Sequence, residues 1–342
     1  MEYKPVYYGE YLALDKIINA QFPESYKEGK TPAHDEMLFI IIHQSYELWF
    51  KQIIHELSIV REVFKKPNIH DNTPDIYNSV HRLKRIGTIL EVAVQQMGIL
   101  ETMTPLDFLD FRDLLRPASG FQSIQFKIIE ATLGLRYEQR HGKAYYLSQL
   151  NEADIALVKK AEQEQSLLVL INQWLERMPY TRNDSYWDNN GGKSFWNIYR
   201  DAYAASLSEL EQKNLAVFDS LFINSSEYPE GRSFSADAGR NALFIMLYRD
   251  LPLLQLPYDL LNTLLELDQM LSMWRHRHIH LVQRTIGKRV GTGGSSGAEY
   301  LRGAADSHYV FKELSELTSF LLPRNLLPVL PEQLISDMSF RR

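Results

Sequence analysis

The sequence predicts an all-α fold built from long helices. Three observations carry that expectation. Apolar residues recur with a helical period nearly everywhere, no stretch alternates convincingly with the period of two that a half-buried strand needs, and Thr-Pro, Ser and Asn stand where helices would start. Amphipathic helices of this length bury one another best in one bundle. The chain therefore reads as a single domain over 1–342 with a smaller helical excursion near 180–235.

The aromatic start "MEYKPVYYGEYLALDKI" is poorly periodic, which suits an arm over roughly residues 1–20 docking on another subunit better than a self-contained helix. "TPAHDEMLFIIIHQSYELWFKQIIHELSIVREVFKK" opens on Thr31 and Pro32 and predicts a helix of about thirty residues, roughly 45 Å long at 1.5 Å per residue. "NTPDIYNSVHRLKRIGTILEVAVQQMGIL" starts the same way at Thr73-Pro74. In "TPLDFLDFRDLL", Thr104, Pro105 and Asp107 supply the cap, the first turn and the acid three residues on, and "RPASG" breaks the helix. "FQSIQFKIIEATLG" resumes it, and Asn151 caps one further predicted helix running to Met178. "PYTRNDSYWDNNGGKSF" and "NSSEYPEGRSFSAD" read as loops, the helix between them reaching about Phe222 and "ADAGRNALFIMLYRD" following as another. Pro257 opens the long element that carries "MWRHRHIHLV" and ends at Gly287. Gly-rich "GTGGSSG" and two closing helices complete the chain.

Composition excludes several chemistries. With 37 Lys+Arg against 43 Asp+Glu the chain is mildly acidic and carries no basic patch large enough for nucleic acid. Cysteine is absent, which removes disulfides, thiolate zinc sites, iron–sulfur clusters and thiolate-ligated haem together. The N-terminus lacks the basic-then-apolar order of a signal peptide, and runs such as "MLFIII" are far short of a membrane span, so a cytoplasmic protein is expected.

The histidines at 276, 278 and 280 are unequal on a helix. His276 and His280 share a face with Ser272 and Gln283, a solvated and partly cationic surface without a third ligand for zinc. His278 points the other way, onto a stripe of Leu271, Trp274, Leu281, Val282 and Thr285. An imidazole there is either a core residue bonded to backbone or the axial ligand of a haem, and spacing alone leaves both open. His43 sits mid-helix between Phe39 and Glu47, facing a pocket or filling the core. Arg112 stands one turn after Phe108 beside a chain break, which suits a carboxylate fork, or an ion pair with Asp110 or Asp113. "GTGGSSG" lacks the Lys of a phosphate loop and follows a helix, so it reads as a hinge, a lid or a plain linker.

Taken together, "YYGEYLALD", "HDEMLFIIIHQSYELWFKQ", "DFLDFRDLLRPASGFQSIQF", "WRHRH" and "GTGGSSG", in that order, resemble the tryptophan 2,3-dioxygenase family, and "FLLPRNLLP" looks like its animal-type members. The resemblance implies an all-α homotetramer, a dimer of dimers, with one haem b per subunit, bound between helices and ferrous when active. It implies insertion of both atoms of O₂ across the indole C2–C3 bond of L-tryptophan to give N-formylkynurenine. His278 then matches the proximal haem ligand, His43 the distal histidine and Phe39 the aromatic that packs over the indole. Arg112 matches the carboxylate clamp and Thr292 the hydroxyl at the amino-acid end. Phe108, Leu115, Ser119 and Gly120 match pocket-lining positions, while Tyr8, Tyr11 and Leu12 match residues that reach a neighbouring subunit's pocket. Two competing readings are a related haem oxygenase acting on another indole and a non-catalytic haem carrier or sensor. The first has less use for Arg112 and Thr292 together, and the second has none for a carboxylate clamp.

Overall fold

Residues 5–67, 69, 73–141, 147–181, 186–187, 194–224, 229, 231–289, 291 and 297–339 are described by the computed structural model, with backbone only at 297–300. Short α1 (Tyr8–Tyr11) and α2 (Leu14–Ile18) precede the long α3 (Glu36–Phe64) and α4 (Pro74–Leu100). The short α5 (Pro105–Arg112) and α6 (Ile124–Leu133) follow, then α7 (Glu152–Gln163) and α8 (Leu167–Glu176). Next come α9 (Phe195–Ser206), α10 (Lys213–Phe218), α11 (Ala236–Leu247) and the longest helix, α12 (Pro252–Ile286). The chain closes through α13 (Gly297–Ser307), α14 (Lys312–Glu316) and α15 (Glu332–Asp337). The fold is all-α: among the described residues there is no strand, and no helix is long and apolar enough to cross a membrane.

Three long helices frame the molecule because each carries one apolar stripe. On α3, Ile42, Tyr46, Phe50, Ile53, Leu57, Val60 and Phe64 are buried at three- and four-residue steps, and α4 matches them with Ile76, Val80, Leu83, Leu90, Ala93 and Met97. α12 lies along α4, α4 along α3, and α13 on α12, so α3 and α12 are held at fixed separation by the helix between and beside them. Charge pins the register of the first pair: buried Glu56 on α3 takes Arg82 at 2.8 Å and Arg85 at 2.7 Å from α4.

The predicted boundaries hold at several caps and fail at others, each for a local reason. Thr104 and Asp107 form the reciprocal box expected of α5, Thr73 precedes Pro74, and Gly287 closes α12 with φ +59°. The first long helix does not begin at Thr31-Pro32 but at Glu36. The Glu36 carboxylate accepts the backbone N–H groups of Glu24 and Ser25, while the Ser25 hydroxyl accepts that of Ala33, so residues before 36 are tied to the preceding turn. The helix predicted from Asn151 to Met178 is two, because Ser166 caps α8 through the Val169 N–H and α7 ends at Gln163. α12 begins at Pro252, not Pro257. Pro252 occupies the first helical position, where a missing N–H costs nothing, and Pro257 is carried inside the helix at the loss of one bond. Three helices, not two, follow the glycine-rich segment.

Candidate functional site

A cavity of about 290 Å³ opens where α3, α5, α6, α12 and α13 converge. One wall is aromatic. Phe39 stacks at a tilt on His43 with ring centroids 4.1 Å apart, and lies 5.6 Å from Phe108 and 5.6 Å from Phe111. One α-helical turn separates Phe39 from His43, which is why one face of α3 presents both. The His43 Nδ1 lies 2.7 Å from the Phe39 carbonyl, so Nδ1–H is the donor and Nε2 is left as the acceptor on a ring that lines the cavity. Burial pushes the His43 pKa down against the opposing effects of that backbone bond and of Glu47, which favours the neutral imidazole.

His278 lines the same cavity from α12, while His276 and His280 are exposed. The helical geometry expected from the sequence is what separates them: Trp274, Leu281, Val282 and Thr285 share the cavity wall with His278. Burial, with a smaller contribution from the facing His43, lowers the His278 pKa to about 4. Its Nδ1 is buried and has no hydrogen-bond partner among the described residues, unlike the Nδ1 of His276, which lies 2.9 Å from the Ser272 carbonyl. A neutral imidazole in an apolar wall beside a cavity fits an axial haem ligand. Trp274 and Phe126, stacked at 4.7 Å, give the same wall a flat apolar surface suited to a porphyrin face.

Arg112 ends α5, is 5% exposed and lines the cavity. The nearby Asp113 pairs with Arg116 at 3.2 Å. A buried guanidinium at the edge of an aromatic pocket is built for a planar carboxylate. Ser119 and Gly120, in the 3₁₀ turn after the chain break, also line the cavity, as Phe108 does.

Leu115 is half-buried against the apolar core and is not among the cavity residues. Tyr8, Tyr11 and Leu12 are exposed, Tyr8 at 71% and Tyr11 at 76%, and are not among the cavity residues of this chain. Thr292, with most of the expected lid "GTGGSSG", lies outside the described residues, although Gly291 reaches the cavity.

Sequence reasoning missed an ionic part of the wall. Lys127 and Glu130 on α6, Arg140 beyond it, Arg275 on α12 and His308 after α13 all line the cavity and are all buried. Glu130 accepts from Arg140 at 2.6 Å and from Arg275 at 2.7 Å, and His308 Nδ1 lies 3.4 Å away. The available signal was the i,i+3 pair Lys127 and Glu130 inside the otherwise apolar "FKIIEATL", and Arg275 next to Trp274.

A family profile described as tryptophan 2,3-dioxygenase matches residues 2–321. The chain is 39% identical to a protein named tryptophan 2,3-dioxygenase from Bdellovibrio bacteriovorus, over 99% of each chain. It is 43% identical to one so named from Dictyostelium discoideum, over 98% of this chain and 89% of the relative. A Xenopus tropicalis protein of the same name is 41% identical over 94% and 83%.

Proposed function

The chain belongs to the tryptophan 2,3-dioxygenase family, and on that premise we propose that it is a haem-dependent dioxygenase that converts L-tryptophan to N-formylkynurenine. One observation carries the reading: two half-buried imidazoles favoured in their neutral form, His43 and His278, face a single cavity whose rim holds the buried Arg112. His278 would hold the iron of haem b. When bound, the haem supplies a ferrous centre at which O₂ is activated.

The remaining work falls to this chain's side chains. Arg112 takes the substrate carboxylate in a charge-assisted fork, and Thr292 contacts the amino-acid end. Phe39 and Phe108 pack on the indole, with Ser119 and Gly120 closing the pocket. His43 Nε2 accepts the indole N–H, orienting the ring without removing its proton, since indole is a far weaker acid than imidazolium. The C2–C3 bond breaks and each carbon gains one oxygen atom, so both atoms of O₂ end in the product and no external reductant is consumed. Catalysis by the protein is then positioning and exclusion of water.

The assembly belongs to the same reading: a cytoplasmic homotetramer, a dimer of dimers, in which Tyr8, Tyr11 and Leu12 complete a neighbour's pocket. In support, Val6, Tyr7, Tyr8, Tyr11, Ile18 and Phe22 leave an unusually apolar arm exposed on the single chain. A mixture of Arg112→Leu chains with chains lacking residues 1–15 should recover activity that neither has alone. A fully active monomer would refute the shared pocket.

The enzymatic reading is tested by reducing the haem-loaded protein anaerobically, adding L-tryptophan and then O₂, and following absorbance. N-formylkynurenine should accumulate only after O₂. Oxidation of the haem with no product would overturn the assignment in favour of a carrier or sensor.

A further inference from the structure

α13 stands apart from the main apolar core. Its buried Leu301 and Ala305 pack with Ile279 of α12 in a small cluster of their own, edged by Phe121 and Val282. Ile279 follows His278 directly and Val282 lies one turn on, so α13 covers the stretch of α12 that carries the imidazole. Leu301 and Ala304 line the same cavity as His278. Whatever seats α13 therefore sets one side of that ring's surroundings. Among the described residues, three buried side chains are little apolar surface to hold a helix of 11 residues.

The firm attachment is polar and lies at the far end of α13. Along one face of α12, Asp268, Ser272 and Arg275 hold successive residues of the corner that follows α13. The Asp268 carboxylate accepts the N–H groups of Val310 at 3.1 Å and Phe311 at 2.5 Å. Ser272 Oγ lies 2.8 Å from the Tyr309 hydroxyl, and Arg275 donates to the His308 carbonyl at 2.8 Å. Glu130, on α6, closes the clamp. One of its oxygens accepts from Arg275 at 2.7 Å and lies 3.4 Å from His308 Nδ1, while the other accepts from Arg140 at 2.6 Å. The second ring nitrogen of His308 accepts the His141 N–H at 3.0 Å, so the imidazole presents Nδ1–H to Glu130. The same segment seats the His141 ring against Gly303 of α13, where a Cβ would stand 2.4 Å from it. Burial opposes ionisation of Glu130, yet Arg140, His308 and Arg275 together hold its pKa well below the usual carboxylate range.

Resting on the haem reading above, we propose that Glu130 is a positioning residue for His278: it clamps Arg275 to His308 and so seats α13 against the turn of α12 that carries the imidazole. The lever is short. Arg275 stands three residues before His278 on the same helix, and Ile279, the residue α13 covers, stands one after it. A carboxylate is needed because it accepts through two oxygens. A carboxamide of the same shape accepts through one and donates through the other arm, so it cannot take Arg275 and Arg140 from both sides. An axial ligand keeps its geometry only as well as its supporting residues are held.

The test compares wild type, Glu130→Gln and Ala305→Leu. Ala305 is fully buried and is not among the cavity residues, so leucine there wedges α13 off Ile279 without touching the charges. Each protein is titrated with hemin and with hemin dimethyl ester, the same disc without carboxylate charge, and read from the Soret band. Amide exchange is followed at saturating hemin. Apparent affinity scales with the fraction of chains in the binding-competent form, so a seated fraction of about a tenth weakens binding about tenfold. Both variants should bind both porphyrins weaker by about tenfold, with a shifted iron–histidine stretching band in the ferrous state. Amides of residues 301–308 should exchange faster, while those of α3 and α4 keep wild-type protection. A Glu130→Gln protein with unchanged affinity and stretching band would overturn the proposal. So would weakening confined to hemin, which would make the ionic cluster a contact of the porphyrin carboxylates. Faster exchange throughout the molecule would make Glu130 a residue of general stability and sink the proposal too. If Glu130→Gln fails to fold, Glu130→Asp, one methylene too short for its partners, should show the same signs more weakly, and its matching wild type in band and exchange refutes the clamp. Failure of the haem reading itself looks different: neither porphyrin binds wild type, or His278→Ala binds both as wild type does.

Discussion

His43 and His278 face one cavity from opposite long helices, and they differ in a single bond. Both are half-buried, and desolvation lowers both pKa values. His43 spends Nδ1 on the carbonyl one turn back, as exposed His276 also does. His278 makes no such bond. The first arrangement fixes a tautomer and leaves Nε2 to accept a hydrogen bond, whereas the second leaves Nδ1 of His278 without a partner among the described residues. Two identical side chains thus acquire different chemistry from backbone context, and their substitution should separate them.

The largest expected effect is at His278. His278→Ala should lose stable haem retention, with recovery by added imidazole, while His43→Ala, His276→Ala and His280→Ala keep a normal Soret band. Loss of the band in His276→Ala with retention in His278→Ala would reverse the assignment of the two faces of α12.

Arg112 sharpens the comparison from the substrate side, because it should act with His43 and not with His278. Truncating a buried charge-assisted partner costs about 2–5 kcal/mol, so Arg112→Leu should lower kcat/KM for L-tryptophan roughly 30- to 4000-fold with the haem spectrum intact. Tryptamine, which has no carboxylate, should hardly distinguish the variant from wild type. Equal losses on both would make Arg112 a structural residue.

Acid should expose the cost of keeping His278 neutral in the haem-free protein. Its folded pKa, about 4, lies below the ordinary 6.5, so between those values the unfolded chain binds the extra proton. The contribution to stability is therefore whole above pH 6.5 and is lost as pH falls towards 4, reaching at most about 3 kcal/mol at 1.36 kcal/mol per unit. Asp268 opposes this trend. Burial raises its pKa to about 6 against the N–H groups of Phe311 and Val310 and the charge of Arg275, so its folded form binds the extra proton and its contribution falls as pH rises through that range. Denaturant midpoints from pH 7 to 4.5 should accordingly flatten in His278→Phe and steepen in Asp268→Asn. An unchanged slope in His278→Phe would mean that the imidazole is solvated.

What the sequence made legible follows the same division between local and distant causes. His278 could be separated from His276 and His280 by helical period because its neighbours on the face lie within eight residues along one helix. The α5 cap was equally local. The two-helix break at Ser166 was readable in principle from a serine cap, but the apolar period continues across it and masked the stop. Glu36 and Pro252 set helix starts through contacts or positions that the stronger-looking Thr31-Pro32 and Pro257 obscured. The ionic wall was signalled only by charges inside an apolar run: Glu130 meets Arg275 across 145 residues, and on α6 alone Lys127 and Glu130 look like a surface pair.

The smallest effect expected is at His43, and it decides whether the distal imidazole orients the substrate or reacts with it. A hydrogen bond that only positions the indole is worth about 0.5–1.5 kcal/mol net. His43→Ala should then lower kcat/KM by roughly 2- to 13-fold at 1.4 kcal/mol per decade, far less than a proton-transfer role, worth 100- to 10,000-fold, about the range of general-base catalysts, would require. The Nδ1 bond to Phe39 bears on the choice, because it holds Nε2 unprotonated, ready to accept and unable to donate. Lowered by burial, the ring is also a weaker base than free histidine, which disfavours it as the group that strips a proton from so weak an acid as indole. 1-Methyl-tryptophan, with no N–H to offer, separates the two cases: on the orienting reading, wild type and His43→Ala should use it at similar rates, each near the rate of His43→Ala with L-tryptophan. If wild type is inert towards 1-methyl-tryptophan while His43→Ala is thousands of times slower than wild type on L-tryptophan, His43 is a base after all.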